Sequence, residues 1–222
     1  MKRENLFIPP HKALRKMLGN VSLMAGQLEP GNVQQIDALK LMGEELFFLL
    51  DTHATSEEEF VLSALEEKVP GASKANHEEH EMLEAQQADV QSMMRALNEH
   101  STEEDCYQFY LAFSSYHSAY LLHIIHEEKE TNQLLWDHFT DEELVGIRIR
   151  LVQHLAFDDY LTWLKHFFTS MSDTEIAGMM TGMKMGMPEE PFKRVLDTFE
   201  TSVSRVRADK ILASMNHKLA TA

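Results

Sequence analysis

The sequence predicts an all-α protein, an up-down-up-down four-helix bundle followed by a helical C-terminal extension. Three observations carry that expectation. Apolar residues recur at three- and four-residue intervals along nearly all of the 222 residues, and alternating β-branched runs are absent, so the period is helical. The breakers Glu29-Pro30-Gly31-Asn32 and Val69-Pro70-Gly71 are short, which makes consecutive helices antiparallel neighbours. The apolar stripes also turn ionisable part-way along, with histidine and glutamate where leucine would pack.

The first helix runs from about His11 to Leu28 and stops at the Pro-Gly breaker. The second carries Ile36, Leu39, Met42 or Gly43, Leu46, Leu50, His53, Glu57, Val61 and Leu65 on one stripe and ends near Val69. The third begins near Ser73 and continues through His80, Leu83, Gln87, Val90, Met94 and Leu97, until Asn98 to Ser101 breaks the pattern. The fourth spans about Glu103 to Phe139, with Phe109, Phe113, Tyr116, Tyr120, His123, Glu127, Glu130 and Leu134 on one face. Residues 1–139 therefore form the bundle.

Residues 140–222 form the extension. Thr140-Asp-Glu-Glu143 and Ser172-Asp-Thr-Glu175 both match the capping box, in which a hydroxyl and a carboxylate satisfy the first free amides of a helix. Helices are expected near 141–155, 158–170, 173–185 and 189–216, with Trp163, Phe167 and Phe168 as their core. Met179, Met180, Met183, Met185 and Met187 suit an adaptable groove for a protein partner or for self-association, although ordinary core packing is the commoner use of such a cluster.

Composition narrows the function. Apolar residues make up 44% and charged residues 25%, as in a globular chain. Thirty-six acidic against twenty basic side chains give a formal charge of −16, which repels a phosphate backbone and argues against nucleic acid as a partner. Cys106 is the only cysteine, which excludes intrachain disulfides and thiolate cages and fits the reducing cytoplasm. Met1 to Pro10 has no apolar run of signal length, and no segment nears the eighteen or so apolar residues of a membrane span, so no membrane association is expected. Twelve histidines in so acidic a chain point to a metal, because imidazole and carboxylate are ligands that iron, manganese and zinc accept.

The ionisable positions are spaced for that role. His53 and Glu57 are four apart, hence one turn apart on the same helix face, and His123 and Glu127 repeat the spacing. Each carboxylate can give one oxygen to each of two cations, so two pairs suggest two metals. His11 lies about as far from the first turn as His53 lies beyond it, and His80 completes a fourth wall. Across the second turn the levels agree less well: Glu57 and His80 differ by about four residues, or about 6 Å at 1.5 Å per residue. His126 and Glu130 share the four-residue spacing and are alternates to His123 and Glu127, which are preferred because they continue the aromatic stripe. His77 and Glu84 are further alternates beside His80, and Glu58 lies slightly off the stripe. The competing reading is Glu–His ion pairing with no metal, yet uncompensated charges at one buried level cost several kcal/mol each, and a cation removes that penalty.

His11-Lys-Ala-Leu-Arg15, His53-x-x-x-Glu57-Glu58, His77-Glu-Glu-His80-Glu and His123-x-x-x-Glu127-Glu128 follow one another on the four helices. In that order they resemble the hemerythrin-like HHE cation-binding domain over about residues 8 to 139. The resemblance implies a four-helix bundle holding a non-haem di-iron centre, with histidines as terminal ligands and the two glutamates bridging the irons. It is closer to the bacterial branch than to the oxygen carriers: His77 and His80 are three apart where the carriers have two histidines four apart, and Glu127 stands where they have an aspartate.

His11, His53, His80 and His123 with two bridging carboxylates leave two octahedral ions short of six ligands each, even with an oxo or hydroxo bridge between them. An open position admits dioxygen, nitric oxide or a peroxide, for sensing, storage or stress protection. A redox enzyme or an iron–sulfur cluster repair protein is the alternative, and a helical adaptor with a structural metal is the third reading. Other divalent metals fit the same donors.

Overall fold

The computed structural model describes residues 3–221 and is all-helical, with no strand among the described residues. Helix α1 (Ile8–Gly26) opens with two prolines in its first turn, where a missing N–H costs nothing. Helix α2 (Val33–Ser56) is capped by the Asn32 side chain, which accepts from the Gln35 amide. Between them Gly31 adopts φ +70°, and a Cβ there would stand 2.9 Å from the Glu99 carbonyl oxygen, so glycine is required at this reversal.

The second and fourth helices of the expected pattern are each interrupted. After α2 the chain continues as a π-helical segment, Glu57–Leu62, and then as α3 (Ser63–Lys68). Gly71, at φ +88°, turns it into α4 (Lys74–Ala96). Helix α5 (Glu103–His126) starts from a capping box made by Thr102 and Asp105, runs into a second π segment, Glu127–Thr131, and ends as α6 (Asn132–His138). Both π segments begin at a glutamate singled out from the sequence.

Helix α1 packs on α2 and α5, α4 packs on the same two helices, and α3 packs on α6. The stripe of α5 buries Phe109, Phe113, Tyr116, Tyr120 and His123, as its spacing requires. Beyond Glu127 the buried positions become Thr131 and Leu135, in place of the expected Glu130 and Leu134, because a π turn holds more residues per turn and shifts the face by one. Helix α7 (Asp141–His154) begins at the Thr140–Glu143 box. Its Leu144 and Ile147 are buried with Phe7, Val61, Leu65, Leu135 and Phe139. The first helix beyond residue 139 thus belongs to the N-terminal compact unit, which extends through Leu151.

The second unit runs from Val152 onward. It holds α8 (Phe157–Ser170), α9 (Asp173–Gly186), α10 (Glu189–Ser202) and α11 (Arg205–Thr221). The single helix expected over 189–216 is two: Val203 is extended, and α11 restarts with the Ser204 carbonyl accepting from the Ala208 amide. The core is built from Leu164, Phe168, Ile176, Met180, Val195, Phe199 and Ile211, with Phe167 packed at its edge; Trp163 is also buried. Met180 is central, Met179, Met183 and Met187 pack around it, and Met185 is 68% exposed, so most of the methionine cluster serves as core. The Arg207 guanidinium clamps the α8–α9 junction, donating to the carbonyls of Phe168 and Met171 and to Asp173.

No helix is long and apolar enough to cross a membrane. Phe168 is fully buried and stacks edge-on against Phe199. Phe168→Ala should lower the unfolding free energy by about 3–5 kcal/mol, measured by urea denaturation of the full chain.

Candidate metal centre

Helices α1, α2, α4 and α5 each bring a polar residue inward by the spacing that elsewhere brings in leucine. On α1, His11 precedes Leu14 and Leu18; on α4, Asn76 and His80 precede Leu83 on the same face; on α2 and α5, His53 and His123 stand one turn before Glu57 and Glu127. All six histidines and glutamates expected as ligands are buried, with His11 and Glu127 at 0% exposure.

They form two overlapping groups. Glu57, His80, His123 and Glu127 each offer an atom within 4.8 Å of all the others, and so do His11, His53 and Glu127. Glu127 is common to both. Its Oε1 lies 3.2 Å from His123 Nε2 and 3.6 Å from His80 Nε2, while its Oε2 lies 3.3 Å from His11 Nε2. Glu57 Oε2 lies 3.5 Å from His53 Nε2 and 3.8 Å from His80 Nε2. The four-residue offset counted between Glu57 and His80 therefore does not keep them apart; part of it is absorbed where the π turn fits more residues into each turn.

A second layer of carboxylates holds the rings from behind. Glu58 Oε1 accepts from His80 Nδ1 at 2.6 Å, Glu79 Oε2 from His123 Nδ1 at 2.7 Å, and Glu128 Oε1 from His11 Nδ1 at 3.0 Å. Glu128 also accepts two bonds from the Arg15 guanidinium, at 2.6 and 2.8 Å. A carboxylate only accepts, so Nδ1 carries the proton in these rings and Nε2 presents its lone pair to the centre. His80 Nε2 and His123 Nε2 lie 3.1 Å apart. Two neutral rings would meet lone pair to lone pair, so either an extra proton or a cation has to stand between them.

The remaining electrostatics agree. Burial by itself pushes the Glu127 carboxyl up, but the close imidazoles of His11, His123 and His80 outweigh it and hold the group well below the carboxylate range. Burial and then the charge of Glu127 push Glu57 well above that range. His53 is driven well below the usual imidazole value, by burial first and then by His11. For His80, burial lowers the value, while Glu127 and Glu58 raise it and prevail. At the centre, His11 Nε2, both oxygens of Glu57 and Glu127 Oε2 are buried and make no hydrogen bond among the described residues. A buried polar atom without a partner costs free energy, and these converge on one region. Their donor set of imidazole nitrogen and carboxylate oxygen, with no thiolate, fits a first-row divalent ion.

The alternates lie outside this region. His126 faces Glu79 and Glu130, and Glu130 is 72% exposed, so that pair flanks His123 without joining it. His77 is 46% exposed and pairs with Glu58, and Glu84 is exposed. His166 is buried in α8, remote in sequence from the others, as ordinary packing. Sequence reasoning missed Asn76, Thr131 and Glu79. Asn76 Nδ2 donates to Glu127 Oε1 at 3.2 Å, and Thr131 Oγ1 donates to Asn76 Oδ1 at 3.1 Å. Asn76 sits four residues before His80, a signal that was present; the partners of Glu79 are on α5, which no spacing along α4 reveals.

Comparison with known proteins finds no matching family model, no matching curated protein and no matching solved structure. The arrangement therefore stands on its own chemistry: a buried cluster of histidines and glutamates that can hold a metal ion. Glu79→Ala removes the acceptor that orients His123. It should weaken divalent-metal binding by about 10- to 100-fold, read by competition with a chromophoric chelator, while far-ultraviolet circular dichroism stays unchanged.

Proposed function

We propose that the N-terminal unit is a hemerythrin-like four-helix bundle and that the chain is a cytoplasmic non-haem di-iron protein handling a small ligand. The packing of α1, α2, α4 and α5, each against two of the others, supports the bundle reading. One observation carries the metal reading: Glu127 lies between two groups of donors and faces each with a different oxygen.

In this reading His80, His123 and Glu127 would hold one ion, His11, His53 and Glu127 would hold the other, and Glu57 could serve both. Four imidazoles and two shared carboxylates do not fill two octahedral shells, so the pair, when bound, supplies a redox-active cation with an exchangeable position. The protein's own residues do the rest. Glu58, Glu79 and Glu128 fix ring orientation and keep the proton on Nδ1. Phe7, stacked 5.3 Å from the His11 ring, closes the α1 side against water.

Protein purified from iron-supplemented cells should carry about two irons per chain and absorb in the near-ultraviolet as an oxo-bridged pair does. One zinc or manganese per chain would sink the di-iron assignment, and a metal-free protein would sink the whole reading. Removing a carboxylate separates function from stability. Glu57→Leu should abolish binding of the second iron yet raise the unfolding free energy of the metal-free chain by about 1–4 kcal/mol, because an apolar residue replaces a buried ionisable one.

A further inference from the structure

Beside the centre, between α2, α4 and α5, lies a cavity of about 230 Å³. Its inner wall is His80 and Tyr120, its sides are Leu50, Leu83 and Tyr116, and its outer end carries Asp51 and Glu84, both exposed. The volume is several times the roughly 30 Å³ a water molecule occupies in the liquid. One imidazole of the proposed ligand set therefore lines a chamber that reaches solvent.

Tyr120 decides what the chamber suits. The residue is only 5% exposed, it lines the cavity, and its hydroxyl makes no hydrogen bond to any described residue. Its ring meets the His123 ring edge-on, with centroids 5.7 Å apart. Tyr116, by contrast, is satisfied: its hydroxyl donates to Gln87 Oε1 at 3.0 Å, and Gln87 Nε2 donates to Asp51 Oδ1 at 2.6 Å. That chain fixes the mouth and leaves the Tyr120 hydroxyl, on a side chain that is otherwise buried, as a donor at the cavity wall with no acceptor among the described residues.

We propose that this cavity is the entry and binding chamber of the centre, that it takes uncharged peroxides of hydrogen peroxide size, and that the Tyr120 hydroxyl donates the hydrogen bond that holds them beside His80. The proposal rests on the metal reading above and adds the ligand class. Free dioxygen and nitric oxide are weak hydrogen-bond acceptors, whereas a peroxide oxygen accepts well from a hydroxyl at the cavity wall. The carboxylates at the mouth disfavour anions such as azide or superoxide and leave a neutral molecule unaffected.

The test uses the iron-loaded full chain and reads ligand association and affinity from near-ultraviolet spectra, with metal content measured in parallel. Ala54→Trp, on the α2 wall of the cavity, should keep both irons and slow hydrogen peroxide association by roughly tenfold or more. Tyr120→Phe should keep both irons and weaken peroxide binding about tenfold while changing azide binding less than about twofold. Asp51→Asn combined with Glu84→Lys should speed azide association several-fold at low salt, an effect that salt near 1 M erases, and leave peroxide association unchanged. Two irons with wild-type peroxide binding in both Ala54→Trp and Tyr120→Phe would overturn this proposal and leave the di-iron reading intact. A wild-type protein without metal would overturn both. Should Ala54→Trp fail to fold, Tyr120→Phe alone decides, since it removes a single oxygen that bonds to nothing in the chain.

Discussion

The N-terminal unit is organised around one carboxylate. Glu127 has no solvent exposure, and imidazoles from three helices approach it: His11 of α1, His80 of α4 and His123 of α5. Asn76 adds a neutral donor. A carboxylate buried without compensation is destabilising by several kcal/mol, so the helices that supply the donors are held at one level by the need to surround it. The apolar residues before and after that level, Leu14, Leu50, Leu83 and Phe113, provide the packing energy. They do not choose the register; the charge at the centre does.

Around that centre the chain places more negative charge than it neutralises. Glu57, Glu58, Glu79, Glu127 and Glu128 all touch the ring of imidazoles, while Arg15, paired with Glu128 at 2.6 Å, is a permanent cation joined to them. In a protein held together only by ion pairing, such an excess would be self-repelling. The split between the two inner carboxyls, Glu57 pushed up and Glu127 held down, shows the strain within the side chains themselves: they cannot both ionise easily without more positive charge nearby. Divalent cations would supply that charge, and the outer carboxylates, which meet these rings at their Nδ1 atoms, are then correctly placed to strengthen the rings as donors.

Much of this was legible in the sequence, and the failures have identifiable causes. The three- and four-residue period located the helices, and Pro-Gly pairs located the turns, because both act through local backbone geometry. The four-residue pairs His53–Glu57 and His123–Glu127 lie on single helices and could be counted. What could not be counted was the change of helical period. Nothing in Glu57–Leu62 or Glu127–Thr131 announces i→i+5 bonding, and so Thr131 was read one position away, at Glu130. Contacts across helices were equally hidden: Glu79 supports His123 from α4, and Asn76 reaches Glu127 from the same helix. The break at Val203-Ser204 was missed because no glycine or proline marks it.

The two π segments also explain why each inward pair is followed by a second glutamate. His53-x-x-x-Glu57-Glu58 and His123-x-x-x-Glu127-Glu128 do the same thing on different helices. The first glutamate points to the centre, and the second, about 100° further round the helix, reaches the Nδ1 of an imidazole on a neighbour: Glu58 to His80, Glu128 to His11. One short motif thus supplies an inner contact and an outer one. The wider turn that starts at the first glutamate lets α3 and α6 resume their apolar faces, with Leu65 and Leu135 buried, after two consecutive polar residues have been spent on the centre. A regular helix would have to choose between that register and the one set by His53 and His123. The π turns let both registers coexist, which is why they occur at Glu57 and Glu127 and nowhere else among the described residues.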